Sequence, residues 1–109
     1  MASNIYQAVM EELNKRGWKR GGRGNDAGPK CLAGCMTYIQ FGTVSHMDMT
    51  KSLEYKVLAR AIKECFPRYK SIVDGYDTVI EFNDEPARLM EDIRKVLVHA
   101  QNIDPSEVI

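Results

Sequence analysis

The sequence predicts a mainly α protein, a single compact domain of about four helices. Three observations predict it. The chain has 109 residues, the length of one domain. Its apolar residues recur mostly at helical rather than alternating spacing. Residues that stop helices, Gly17, Gly42 and Pro67, fall between those segments.

The first helix covers residues 4–16. Asn4 caps it with Gln7 as reciprocal partner, and Ile5, Ala8, Val9 and Leu13 share one face. Trp18 follows at once, either as a core anchor or as a ligand-stacking ring. Residues 19–29 hold Gly21, Gly22, Gly24, Gly28 and Pro29, which excludes a helix or a central strand. A loop of that length is usually functional or disordered.

The second helix covers about 30–40, with Leu32, Cys35, Met36 and Ile39 as its stripe. Gly34 inside it costs about 1 kcal/mol relative to Ala, which marks a close approach by another helix or by backbone. A connector follows, with Asp48 or Thr50 as the next cap. The third helix covers about 51–66, with Leu53, Val57, Leu58, Ala61, Ile62 and Cys65 on its apolar side.

Residues 68–82 read two ways. Asp74-Gly75 suits a short hairpin turn, and the same stretch suits irregular or short helical structure. The second is favoured because a lone hairpin is marginal. The last helix is expected from Asn83-Asp84-Glu85-Pro86, with Asn83 or Asp84 as cap and Leu89, Ile93, Val96, Leu97 and Ala100 as its stripe. The domain then spans 1–102, and 103–109 is a loose tail.

Composition narrows the function. Hydrophobic residues make up 44% and charged residues 28%, which excludes a disordered chain. No apolar run approaches the ~20 residues that span a bilayer. The start of the chain lacks the pattern of a secretory signal, so a cytoplasmic protein without a membrane partner is expected. Three cysteines, an odd number, suit free thiols. Formal charge is zero, yet residues 15–30 carry six cations against Asp26, a net +5, so the remainder carries −5. That is a local patch, and it speaks against general nucleic-acid affinity.

The candidate chemistry centres on that patch. Freed amides at Gly21, Gly22 and Gly24 could form an anion nest beside Lys19, Arg20, Arg23 and Lys30, though no P-loop or dinucleotide fingerprint is present. The alternative is a mobile solvated loop. Cys31 at a helix start could be a thiolate nucleophile with His46 or His99 as base, or a small buried side chain. Cys31, Cys35, Cys65 and His46 could make a zinc set, but the usual second short-spaced pair is missing. Asn83-Asp84 could cap a helix, or form a polar clamp with Arg88 one turn on.

Gly17-Trp18, a glycine-rich loop, Cys31-Leu32-Ala33-Gly34, Phe82-Asn83-Asp84 and then Arg88 occur in that order. This order resembles an uncharacterised family of small proteins from actinobacteria and bacteriophages, over roughly residues 5–100. The resemblance implies a self-contained helical domain, often in a phage or mobile-element setting. It also implies a small alanine where this chain has Cys35, so a chemistry needing both thiols is put in doubt.

The expectation is binding rather than catalysis, with no metal and no cofactor. The ligand would be an anionic small molecule, nucleotide-like for example, or a partner protein. In a phage that partner would belong to a host-defence or regulatory pathway. The binding residues would be Trp18, Arg20, Arg23, Lys30, Cys31, Asn83, Asp84 and Arg88. A cysteine-dependent hydrolase or transferase is the alternative and a zinc-stabilised module the third. A homodimer stays open.

Overall fold

Five α-helices occur among the described residues: α1 (Ile5–Arg16), α2 (Leu32–Phe41), α3 (Leu53–Cys65), α4 (Gly75–Asp84) and α5 (Met90–Ala100). Short 3-10 turns occur at Pro67–Tyr69 and Pro105–Val108. The computed structural model describes residues 5–45 and 53–108. The expected caps at Asn4, Asp48 and Thr50, and His46, lie outside those residues.

Helix α3 is the centre because its buried residues surround much of its axis: Tyr55, Val57, Leu58, Ala59, Ala61 and Ile62. A helix apolar on that many sides must be covered from several directions. Helices α4 and α5 cover two of them, α1 packs on α2 and α5, and α2 reaches α4. The core includes Val9, Leu32, Met36, Leu58, Ile62, Phe82, Ile93 and Leu97, all at 0% exposure.

The count of five, rather than about four, comes from residues 75–84. No hairpin forms there. Asp74 is a helix cap, its Oδ1 accepting from the Asp77 amide at 3.0 Å. Thr78, Val79, Phe82 and Asn83 then share one buried face. Asn83 and Asp84 therefore end α4 rather than starting the last helix, which begins at Met90. Pro86 is the reason: the residue before a proline is pushed out of helical geometry, and Glu85 has φ −57°, ψ 126°. The real start of α5 is marked by Asp92, whose carboxylate accepts from the Leu89 amide at 3.1 Å. Beyond Asn102, Ile103 is buried and Val108 packs against the core.

The glycine-rich loop is a strap laid over the start of α2. The Lys19 amide donates to the Lys30 carbonyl and the Lys30 amide to the Gly17 carbonyl, each at 3.1 Å. The strap crosses α2 at Gly34, where the helix has no side chain and the backbone of Arg23 lies against it. A Cβ on Gly34 would lie 2.2 Å from the Arg23 carbonyl oxygen. Gly24 has φ +87°, and a Cβ there would lie 2.1 Å from the Pro29 carbonyl oxygen. The expected close approach at Gly34 is thus an approach by backbone.

Gly34→Ala should therefore destabilise the protein by about 2–4 kcal/mol, despite the better helix propensity of Ala. Gly42→Ala, at φ +80° with open space around the added methyl, should cost about 1 kcal/mol. Urea denaturation of both variants checks this; equal losses would mean that the crossing does not fix Gly34.

Candidate functional site

Asn83 is 0% exposed, and its amide joins three chain segments. Its Oδ1 accepts from the Trp18 indole N–H at 2.6 Å and from the Leu32 amide at 2.9 Å. Its Nδ2 donates to the Lys19 carbonyl at 3.1 Å and to Asp84 Oδ1 at 2.9 Å. The Leu32 amide is one of the otherwise orphaned donors in the first turn of α2. Sequence spacing alone assigned Asn83 to capping; the structure makes it a clamp on the strap.

Arg20 and Asp84 extend the clamp. The Gly21 amide donates to Asp84 Oδ1 at 2.8 Å. At that amide, where an anion nest was expected, the protein's own carboxylate is the acceptor. Arg20 stacks over Trp18 at 5.1 Å and donates to the carbonyls of Glu85, at 3.1 Å, and Arg88.

Arg88 is not on the last helix but in the connector before it, and its hydrogen bonds go to Phe82 and Tyr69. Its guanidinium is 3.9 Å from the Phe82 ring centroid and 4.8 Å from that of Phe66. It donates to the Phe82 carbonyl at 2.8 Å and the Tyr69 hydroxyl at 2.6 Å, and pairs with Asp92 at 3.5 Å.

Two further loop cations, Lys30 and Arg23, are also held by the fold. Lys30 is 0% exposed. Its ammonium donates to Glu12 at 2.8 Å and to the carbonyls of Asp26 and Gly28, at 2.9 and 3.0 Å, using all three protons. Arg23 donates to Thr37 Oγ1 at 3.1 Å, the Val44 carbonyl at 2.9 Å and the Tyr76 hydroxyl at 3.2 Å.

Cys31 caps α2, its sulfur accepting from the Gly34 amide at 3.2 Å. Burial pushes its pKa up, and the amides of Gly34 and Ala33 only partly oppose that. Of the two readings of Cys31, nucleophilic thiolate or small buried side chain, the structure shows the buried side chain. Cys35 donates to the Val9 carbonyl at 3.6 Å, and burial raises it to about 12. Among the described residues, no group of three His, Cys, Asp or Glu is placed to hold a metal.

Trp18, Arg20, Cys31, Asn83 and Asp84 thus meet at one junction of strap, α2 and α4. Arg23 and Lys30 lie elsewhere along the strap, and Arg88 lies behind it. None of the eight lines either of the two principal cavities. The larger, about 590 Å³, is a groove beside α3. Tyr55, Ala59 and Gly75 form its floor, Val73 and Val108 its sides, and Lys56, Arg60 and Lys63 its polar border, with Asp74 at one end. Gly75 sits beside Ala59 of α3, where an added Cβ would meet the Ala59 methyl at an ordinary contact distance of 3.6 Å. The smaller, about 150 Å³, is mostly aliphatic and lies between α1, α3 and the end of α5.

Residues 1–102 match a family of unknown function, DUF6197. The chain belongs to the DUF6197 family. The DUF6197 match takes in all five helices, the strap and the Asn83 clamp; Val108 lies beyond it. No curated protein and no solved structure matches the chain. No helix among the described residues is long and apolar enough to cross a membrane.

The α3 groove escaped sequence reasoning. Its signal was the spacing of Lys56, Arg60 and Lys63, positions i, i+4 and i+7 on one helix face. Such a stripe is indistinguishable from an ordinary solvated face until Val73 and Val108 are set against it.

Asn83→Ala should lower stability by about 2–3 kcal/mol, because two donors lose a buried acceptor. Trp18 emission should shift to the red in the folded variant. Asp84→Ala, at an exposed carboxylate, should cost under about 1 kcal/mol. A matching loss in both would remove Asn83 from its central role.

Glu12 gives a pH dependence. Burial opposes its ionisation, but hydrogen bonds from Lys30 and Arg16 outweigh that and hold its pKa below the ordinary 4.5. The native state therefore binds fewer protons there than the unfolded chain. The resulting stability is fully present above pH 4.5 and is lost as pH falls through the lowered value. Glu12→Gln should be less stable than wild type at pH 7, and the gap should close as both are acidified in denaturant titrations.

Proposed function

We propose that this DUF6197 protein is a binding protein, and that an anionic small ligand or an anionic part of a partner protein occupies the groove beside α3. The carrying observation is the border of Lys56, Arg60 and Lys63 around a groove of about 590 Å³. That volume lies in the ordinary range for ligand sites. The strap supports the reading by contrast. Arg20, Arg23 and Lys30 already donate to partners within the fold, and the Gly21 amide has Asp84 as its anion.

A cysteine hydrolase or transferase is less well supported, since Cys31 is 2% exposed and its thiol is pushed up by burial. A zinc-stabilised module would need ligands beyond the buried Cys31 and Cys35, whose sulfurs already bond to backbone. In the phage or actinobacterial setting that the sequence pattern implies, the protein would act in the cytoplasm on a host or phage factor, for example in interference with host defence.

Thermal-shift titration with nucleotides, cyclic nucleotides and poly-glutamate tests the reading. At least one anion should raise Tm, and Lys56→Glu should weaken that binding about tenfold or more. A panel without any shift, or binding indifferent to Lys56→Glu, would overturn the groove as an anion site.

A further inference from the structure

We propose that the groove's occupant is a short extended segment of a partner protein, carrying an aliphatic side chain between two acidic ones. This rests on the α3 groove being the binding site and names what it recognises.

Val73 is the first observation. It is 95% exposed, far more than any other large apolar side chain described. It is also held in place. On one side Lys63 Nζ donates to the Ile72 carbonyl at 2.5 Å, and on the other Asp74 caps α4. An apolar side chain fixed in water at the edge of a groove is an anchor for another apolar group. Val108 borders the same groove and supplies a second such contact.

Charge is the second observation. Arg60 pairs with Glu64 at 2.7 Å and Glu107 at 3.8 Å, so its charge is largely balanced. Among the described residues Lys56 and Lys63 have no carboxylate partner; Lys63 bonds to a neutral carbonyl. The one carboxylate on the groove, Asp74, accepts from the Asp77 amide. Lys56 and Lys63 are seven residues apart on α3, so about 10 Å apart along its axis. In an extended peptide, alternate residues share one face, and residues four apart are about 13 Å apart. The pattern acid-x-aliphatic-x-acid therefore brings two carboxylates to the two ammonium groups, well within lysine reach, with the aliphatic side chain between them at Val73.

The floor favours a peptide over a nucleotide. Ala59 and Gly75 line the groove with no long side chain. The one aromatic residue lining it, Tyr55, has a buried ring and donates its hydroxyl to the Ala33 carbonyl at 2.8 Å, so no aromatic face is offered to a base.

Fluorescence anisotropy with a labelled Glu-Ser-Leu-Ser-Glu peptide tests this on the full chain. Binding should weaken about tenfold in Lys56→Glu and about fivefold in Val73→Ser, a surface change that leaves the fold intact. Replacing the peptide's Leu by Ser should cost a similar factor and abolish the effect of Val73→Ser. Peptide binding that ignores both protein variants would overturn the proposal. So would no binding at about 1 mM peptide; if a nucleotide still bound with sensitivity to Lys56→Glu, the groove would stand as an anion site and only the peptide assignment would fall.

Discussion

The side-chain amide of Asn83 is the constraint on which the upper half of the molecule depends. It accepts twice and donates twice, and its four partners come from the strap, the start of α2 and its own neighbour Asp84. Only an amide of this length offers both roles from one buried position. With Trp18 and Lys19 fixed at one end and Leu32 at the other, the intervening chain must cross α2 closely. The crossing requires glycine at 34, and the fold of the strap back on Pro29 and Lys30 requires it at 24.

Charged side chains do structural work elsewhere in the same way. Lys30 and Glu12 form a pair with the ammonium shut off from water, and two carbonyls complete its shell. Desolvating such a pair is costly unless every donor is matched, and here every donor is. Arg88 solves the same problem with aromatic faces, a carbonyl and a hydroxyl. Among the cations of residues 15–30, Lys30 is buried and Arg16, Arg20 and Arg23 bond to partners within the fold, while Lys15 and Lys19 are exposed; the cations that line the groove are those on α3.

This division explains what could be read from sequence. The stripes of α1, α3 and α5 announced themselves because burial on one face imposes a 3.6-residue period. Gly34 announced a close approach because a mid-helix glycine needs a reason. Asn83 misled because Asn-Asp-Glu-Pro has the composition of a helix start, and only the tertiary contact with Trp18 shows it ending one instead. Cys31 was open to two readings because a helix amino end lowers a thiol pKa while burial raises it, and here burial outweighs it. The groove was invisible because it is assembled from α3, residues 73–75 and the C-terminal turn.

The Trp18–Asn83 bond joins residues 65 apart, and the packing of α1 on α5 joins segments further apart still. Helical bundles fold fast because their contacts are local, and closing long loops slows that. The strap therefore shares the cost of long loop closure with the packing of α1 on α5, and the Trp18 indole, bonded to Asn83, reports the docking of the strap separately from the formation of the helices.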